Sequence, residues 1–96
     1  MSKYARRVDE NQAQIVNALV AVGCSVCDLS RVGGECLDLL VGRAGRNYFI
    51  EVKNPAKPKG DQEPTDAQKR LIARWNGQYA IVRTVGEALA VVGVLQ

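Results

Sequence analysis

The 96-residue sequence has no histidine and three cysteines, Cys24, Cys27 and Cys36. An odd count of so few cysteines argues against a disulfide framework. Cys24-Ser-Val-Cys27 has C-x-x-C spacing, but without histidine or a fourth cysteine the chain lacks the donors for a four-ligand zinc site. A thioredoxin-type pair needs its first cysteine at a helix start, whereas this one follows Gly23 into an expected strand. The cysteines therefore read as small buried hydrophobes rather than as a thiol or zinc regulator. Long apolar runs are missing too. Ala88 to Leu95 is the longest, interrupted by Gly93, and a membrane span needs roughly 20 residues. The opening MSKYARRVDEN carries charges with no apolar stretch behind them, which does not fit a signal peptide. No membrane association and a cytoplasmic, intracellular location are expected. What remains is ordinary: 47% hydrophobic and 24% charged residues exclude disorder and predict one domain over residues 1–96.

The net charge is only +3, but the cations cluster. Residues 1–8 form a basic arm with Lys3, Arg6 and Arg7 and no acid. The stretch 43–59 holds Arg43, Arg46, Lys53, Lys57 and Lys59 against Glu51 alone, and Lys69, Arg70 and Arg74 make a third group. Such patches suit a polyanion, nucleic acid above all.

Asp9-x-x-Gln12 reads as a capping box ahead of a helix near 10–22, with Ile15, Val16, Leu19, Val20 and Val22 at helical spacing before Gly23. Ser25–Leu29 is β-like, and Ser30–Glu35 is a loop with paired glycines. Leu37–Gly42 and Arg46–Lys53 form a hairpin turning on Ala44-Gly45. All three prolines fall in the polar loop Asn54–Pro64. Thr65-x-x-Gln68 and Thr84-x-x-Glu87 open two further helices around a strand at Gln78–Arg83, the last helix ending at Gly93. The order α-β-β-β-α-β-α predicts an α/β domain, one mixed sheet flanked by helices.

The hairpin carries the chemistry. With Ala44 and Gly45 at the turn, Leu40 opposes Phe49 and Asp38 opposes Glu51. Opposed and alternate residues share a face. One face then shows Asp38, Leu40, Phe49, Glu51 and Lys53, and the other, wholly apolar or aromatic, shows Leu37, Leu39, Val41, Tyr48, Ile50 and Val52. Two opposed carboxylates at the edge of an apolar face repel, and a divalent cation held by hard oxygen ligands is the natural compensation. A cation that activates water beside the Lys53 ammonium is suited to hydrolysing phosphodiesters.

Leu37-Asp38, a turn, then Glu51-Val52-Lys53 resembles the core of the PD-(D/E)XK nucleases. The fuller pattern GGECLDLLVGRAGRNYFIEVKNP, followed by PTDAQKR, is similar to the stand-alone, phage-type members of the virus-type replication-repair (VRR-Nuc) nucleases, and the likeness runs from Asp9 to about Gly93. It implies a restriction-endonuclease-like core and a metal-dependent DNA endonuclease that resolves Holliday junctions as a homodimer, in a phage or prophage setting. Asp38 and Glu51 would ligate Mg²⁺ or Mn²⁺, the Val52 carbonyl would add an oxygen, and no organic cofactor is implied. Lys53 would orient the attacking water or stabilise charge on the phosphate, and Gln68 would stand beside the site as well as cap its helix. Leu37 replaces the family's usual proline. The family's acidic residue on helix one is Glu10 in the favoured register, with Gln14 four residues on; the other register puts Gln14 itself there. Glu35 lies close enough to serve the metal, though a loop role is favoured.

Arg6, Arg7, Arg43, Arg46, Lys57, Lys59 and Lys69 are the expected DNA contacts; the turn requires neither Arg43 nor Arg46, and the proline-rich loop has no core role for Lys57 and Lys59. Branched DNA is the expected partner. The alternatives are a flap or nicking endonuclease on other branched DNA and a non-catalytic DNA-binding module.

Overall fold

The computed structural model describes residues 10–94. The basic arm, with Arg6 and Arg7, and the Asp9 half of the first capping box lie outside these residues. Helix α1 (Glu10–Ala21) leads into strands β1 (Ser25–Asp28), β2 (Leu39–Arg43) and β3 (Arg46–Val52). A 3₁₀ turn (Lys59–Gln62), helix α2 (Asp66–Arg74), strand β4 (Gln78–Val82) and helix α3 (Val85–Val91) complete the order. The strands lie in the order β1-β2-β3-β4, antiparallel except for the parallel β3–β4 pair. This is the expected α/β domain with one mixed sheet. No helix among the described residues is long and apolar enough to cross a membrane.

The hairpin register is the expected one: Arg43 faces Arg46, Leu40 faces Phe49 and Leu39 faces Ile50. Ala44 and Gly45 both take positive φ, 53° and 80°, as a two-residue turn matched to the twist of its strands requires. Leu37, Leu39, Val41, Tyr48, Ile50 and Val52 are all buried. All but Leu37 join Ile15 and Leu19 of α1 and Ala88 and Val92 at α3 in the core. Helix α2 lies over the opposite sheet face. It has no fully buried residue, and its C-cap Trp75 meets the Phe49 ring at 5.0 Å between centroids.

Two local expectations need correction. Thr84 accepts from the Glu87 N–H at 3.0 Å, but Glu87 reaches past it to the Arg83 N–H at 2.6 Å, so the third box is displaced by one residue. Of the cysteines, all free, Cys24 is buried and Cys36 half-buried, while Cys27 is exposed. Cys27 pairs with Leu40, and α2 leaves that half of the sheet face uncovered.

The topology gathers many chain ends at one edge. β1, β3 and β4 finish there and β2 begins there, as the pairs Asp28–Leu39 and Val52–Val82 require. The α1 start is there as well, since Asn11 reaches the Lys53 carbonyl. Gln68, in the first turn of α2, reaches the Cys36 carbonyl.

Candidate active site

Asp38 and Glu51 meet at that end, on the face under α2. Asp38 immediately precedes β2, and its Oδ2 accepts from the Val52 N–H at 2.9 Å. Glu51 is 2% exposed. Its Oε2 lies 3.1 Å from Lys53 Nζ, and the Lys53 side chain is 14% exposed. Glu51 Oε1 is the one buried side-chain polar atom among the described residues with no hydrogen-bond partner. A buried carboxylate oxygen without a donor is costly, and native structures seldom keep one without a purpose.

Burial raises both carboxyl groups above the ordinary carboxylate range. For Asp38 the desolvation is opposed by the Val52 N–H and the Lys53 charge. For Glu51 the Asp38 charge adds to it, and Lys53 opposes both. The two groups titrate together, so a proton taken by one alters the other. Gln68 stands near enough to favour the ionised form of Glu51, although its amide donates to the Cys36 carbonyl at 3.4 Å. It also completes its capping box with Thr65, so its two expected placements coexist. The Cys36 thiol is raised by burial and by the charges of Asp38 and Glu51.

Lys53 is held by its own backbone. Its N–H donates to the Val82 carbonyl at 2.9 Å, and its carbonyl accepts from Asn11 Nδ2 at 2.8 Å. The next residue of α1, Gln12, is also turned inward and donates to Asp28 Oδ2 at 3.4 Å. Asp28 is lowered mainly by the Ser30 hydroxyl and backbone N–H, and its charge in turn raises Asp38. The sequence reading missed Asn11, Gln12 and Asp28. Gln12 falls three residues before Ile15 and seven before Leu19, so helical spacing alone places it on the buried stripe.

The expected helix-one acid is not brought in. Glu10 and Gln14 are both exposed, and among the described residues no three His, Cys, Asp or Glu side chains gather as a metal cluster. The helix phase is the reason: α1 turns Gln12 and Ile15 toward the sheet, and two carboxamides stand where a third carboxylate was expected. Glu35 pairs with Arg70 and Arg74 of α2 instead of turning to the carboxylates.

The expected DNA contacts divide. Lys57, Lys59 and Lys69 are exposed, on the proline-rich loop and on α2. That loop is ordered from within, because Gln62 donates to the Pro55 and Lys57 carbonyls and Arg83 donates to the Gln62 carbonyl. Neither Gln62 nor Arg83 had been singled out from the sequence. Arg46 is exposed at the hairpin tip, five residues along β3 from Glu51. Arg43 corrects the view that the turn needs neither arginine. Its Nη1 donates to the Val92 carbonyl at 2.9 Å, closing the C-terminus of α3.

A solved structure described as a VRR_NUC domain superposes with a TM-score of 0.64 at 24% identity, covering 84% of this chain and 88% of that one. No protein-family model and no curated protein matches the chain. The buried Glu51, the half-buried Asp38, their lysine and the hairpin that registers them thus stand on a fold similar to that of the VRR_NUC domain structure.

Proposed function

We propose that the protein is a metal-dependent DNA endonuclease that cuts branched DNA, resolves four-way junctions and works as a homodimer. The observation that carries this reading is Glu51 Oε1, buried and without a partner beside a second raised carboxyl group. Asp38, Glu51 and Lys53 together carry a net charge of about −1 when ionised, taking the ordinary charge states. Mg²⁺ is commonly held by one or two carboxylates together with retained waters, so two carboxylates and the Val52 carbonyl are a fitting donor set for Mg²⁺ or Mn²⁺. A non-catalytic DNA-binding module has no use for an orphaned buried acid.

When bound, the cation supplies activation of water and neutralises charge developing on the phosphate. The chain's own residues do the rest. Asp38 and Glu51 set the position of the donor oxygens, Asp38 being fixed by the Val52 N–H. Lys53, fixed from α1 and β4, donates from Nζ to a phosphate oxygen. Gln68 orders the Cys36 carbonyl beside the pair. The low exposure of Glu51 and Lys53 strengthens each of these interactions over its value in water.

The homodimer follows from the substrate: the described residues of one chain offer one such carboxylate pair, whereas resolving a four-way junction needs two paired cuts related by twofold symmetry.

The test is incubation with labelled four-way, flap and linear duplex DNA in Mg²⁺, Mn²⁺, Ca²⁺ or EDTA, with light scattering at micromolar concentration. Paired cuts in junctions with Mg²⁺ or Mn²⁺, weak cutting with Ca²⁺, none in EDTA and a dimeric mass are expected. Full activity in EDTA would remove the metal, and a strict monomer that cuts flaps alone would replace the resolvase with a flap nuclease.

A further inference from the structure

Helix α2 carries Arg70 and Arg74 four residues apart, which puts both on one face. Their side chains are 64% and 60% exposed, yet both turn toward Glu35 of the loop before β2. Arg74 Nη2 donates to Glu35 Oε1, and Arg70 Nε stands 3.6 Å from Oε2. Each oxygen of one carboxylate thus faces its own guanidinium, an arrangement a phosphodiester with two free oxygens can take over. The Arg74 hydrogen bond, with the charges of both arginines, holds the Glu35 carboxyl below its ordinary range. The pair is still open to solvent, and exposed ion pairs contribute little to stability.

Its position matters more than its strength. Glu35 is three residues before Asp38, so their Cα atoms are separated by at most about 11 Å. That span is at most about three base steps, at about 3.4 Å of helix axis per step. Lys69 adds a further exposed cation to the helix, whose one acid is Asp66 in the first turn.

We propose that Arg70 and Arg74 form a phosphate-binding fork for the DNA strand flanking the cut, and that Glu35 fills this fork until a phosphodiester displaces it. The inference rests on the DNA-cleaving reading for its ligand, but not on cleavage itself. Glu35 acts as an internal stand-in for phosphate. It neutralises part of the fork in the free protein and gives way to a polyanion whose charges arrive in a row and whose counterions are released on binding. In the bound state Glu35 is left beside the strand, where its charge opposes DNA.

The test is binding of a labelled four-way junction in Ca²⁺ between 50 and 200 mM salt, comparing wild type, Glu35→Gln and the double variant Arg70→Gln/Arg74→Gln. Losing two phosphate contacts should flatten the log–log salt slope by about 1.8. Wild type should therefore lose about tenfold more affinity than the double variant over that range. Glu35→Gln breaks the same ion pairs but keeps both cations, and should tighten binding several-fold. Opposite signs for the two variants establish the fork. Weakening by both would show that the pairs only hold α2 in place, and would overturn it, as would an unchanged slope in the double variant. Wild-type protein that binds no DNA overturns the fork as well. Protein that binds with these signs but cuts nothing in Mg²⁺ or Mn²⁺ overturns the nuclease reading and leaves the fork standing.

Discussion

Replacing Glu51 with glutamine should abolish cleavage and, in the absence of metal, raise the melting temperature. The substitution keeps the shape and removes one of two charges held in a buried site. Directly opposed side chains stand about 5 Å apart, so at an effective dielectric constant of about 20 the Asp38–Glu51 repulsion is about 3 kcal/mol. Burying the carboxylate costs several kcal/mol more. Against these stands the attraction of Lys53, 3.1 Å from Glu51, about 5 kcal/mol on the same basis. Part of it survives, because the glutamine carbonyl accepts from the ammonium and Asp38 remains as counter-charge. The balance favours the variant by about 1–2 kcal/mol, and a domain of this size gains about 4–8 °C per kcal/mol. The raised carboxyl groups point the same way. The penalty exists only while Glu51 is ionised. As pH falls from neutral through its raised folded value, the native wild type takes up a proton that the unfolded chain, at the ordinary value, does not yet bind. The wild type is thereby stabilised and the gap between the two proteins narrows. Asp28 and Glu35 are lowered, so both proteins lose their stabilisation at lower pH and it cancels in the difference. On the proposed reading, adding Mg²⁺ or Mn²⁺ should reverse the order, since metal at a hundred times its Kd would stabilise wild type by about 2.7 kcal/mol and the variant much less. The assay is thermal unfolding by circular dichroism in EDTA and in metal, from neutral pH downward. A variant that melts well below wild type in EDTA, or a gap that widens on acidification, would refute the reasoning and make Glu51 a structural acid.

Asp38→Asn should fold and lose cleavage, because the amide oxygen still accepts from Val52. Asp38→Ala leaves that N–H without a partner at a cost of about 1–3 kcal/mol, and equal urea midpoints for the two variants would contradict the assignment. Lys53→Ala should lose most of the turnover rate with metal affinity little changed, and near-wild-type cutting would reduce Lys53 to a surface charge. Asn11→Ala should lower turnover in the wild-type background and not in the Lys53→Ala background; equal losses in both would mean that Asn11 only secures the helix. Neutralising Arg46, Lys57 and Lys59 should weaken binding to every DNA sequence and flatten the salt slope by about 0.9 for each residue that meets a phosphate, whereas an unchanged slope would make them solubilising charges.

The hairpin was legible in the sequence because its two determinants are local. A two-residue turn sets the register, and period-two alternation sets the faces, so the opposition of Asp38 and Glu51 follows from counting. The apolar stripe of α1 was read correctly at Ile15 and Leu19, but the family resemblance drew the site reading to Glu10. At 100° per residue, Glu10 lies 140° around the helix from Ile15, while Gln12 lies 60° away and belongs to the buried stripe. That arithmetic was open to the sequence. The Arg43 bond to Val92 was not, because the partners are 49 residues apart and nothing near the turn marks the end of α3. Cys27 shows a related limit. The β1–β2 pairing, which no local signal sets, puts it beside Leu40, and the placement of α2, over β3 rather than β1, decides that this part of the face stays open.

The same geometry explains how a chain this short sustains a cluster of like charges. Strained or unsatisfied groups persist only where their surroundings over-determine them. Here the surroundings are the ends of other elements. Val52 offers its N–H to Asp38, Val82 takes the Lys53 N–H, and Asn11 closes the Lys53 carbonyl. Gln68 ties α2 to the Cys36 carbonyl from above. Each bond satisfies a backbone group that would otherwise be unpaired where a strand stops, so the contacts that hold the site are those the chain needs to end its strands. The carboxylate pair can then remain under-satisfied without loosening its frame. On the proposed reading, a cation arriving at Glu51 Oε1 would meet ligand oxygens already in position, with little ordering left to oppose its binding.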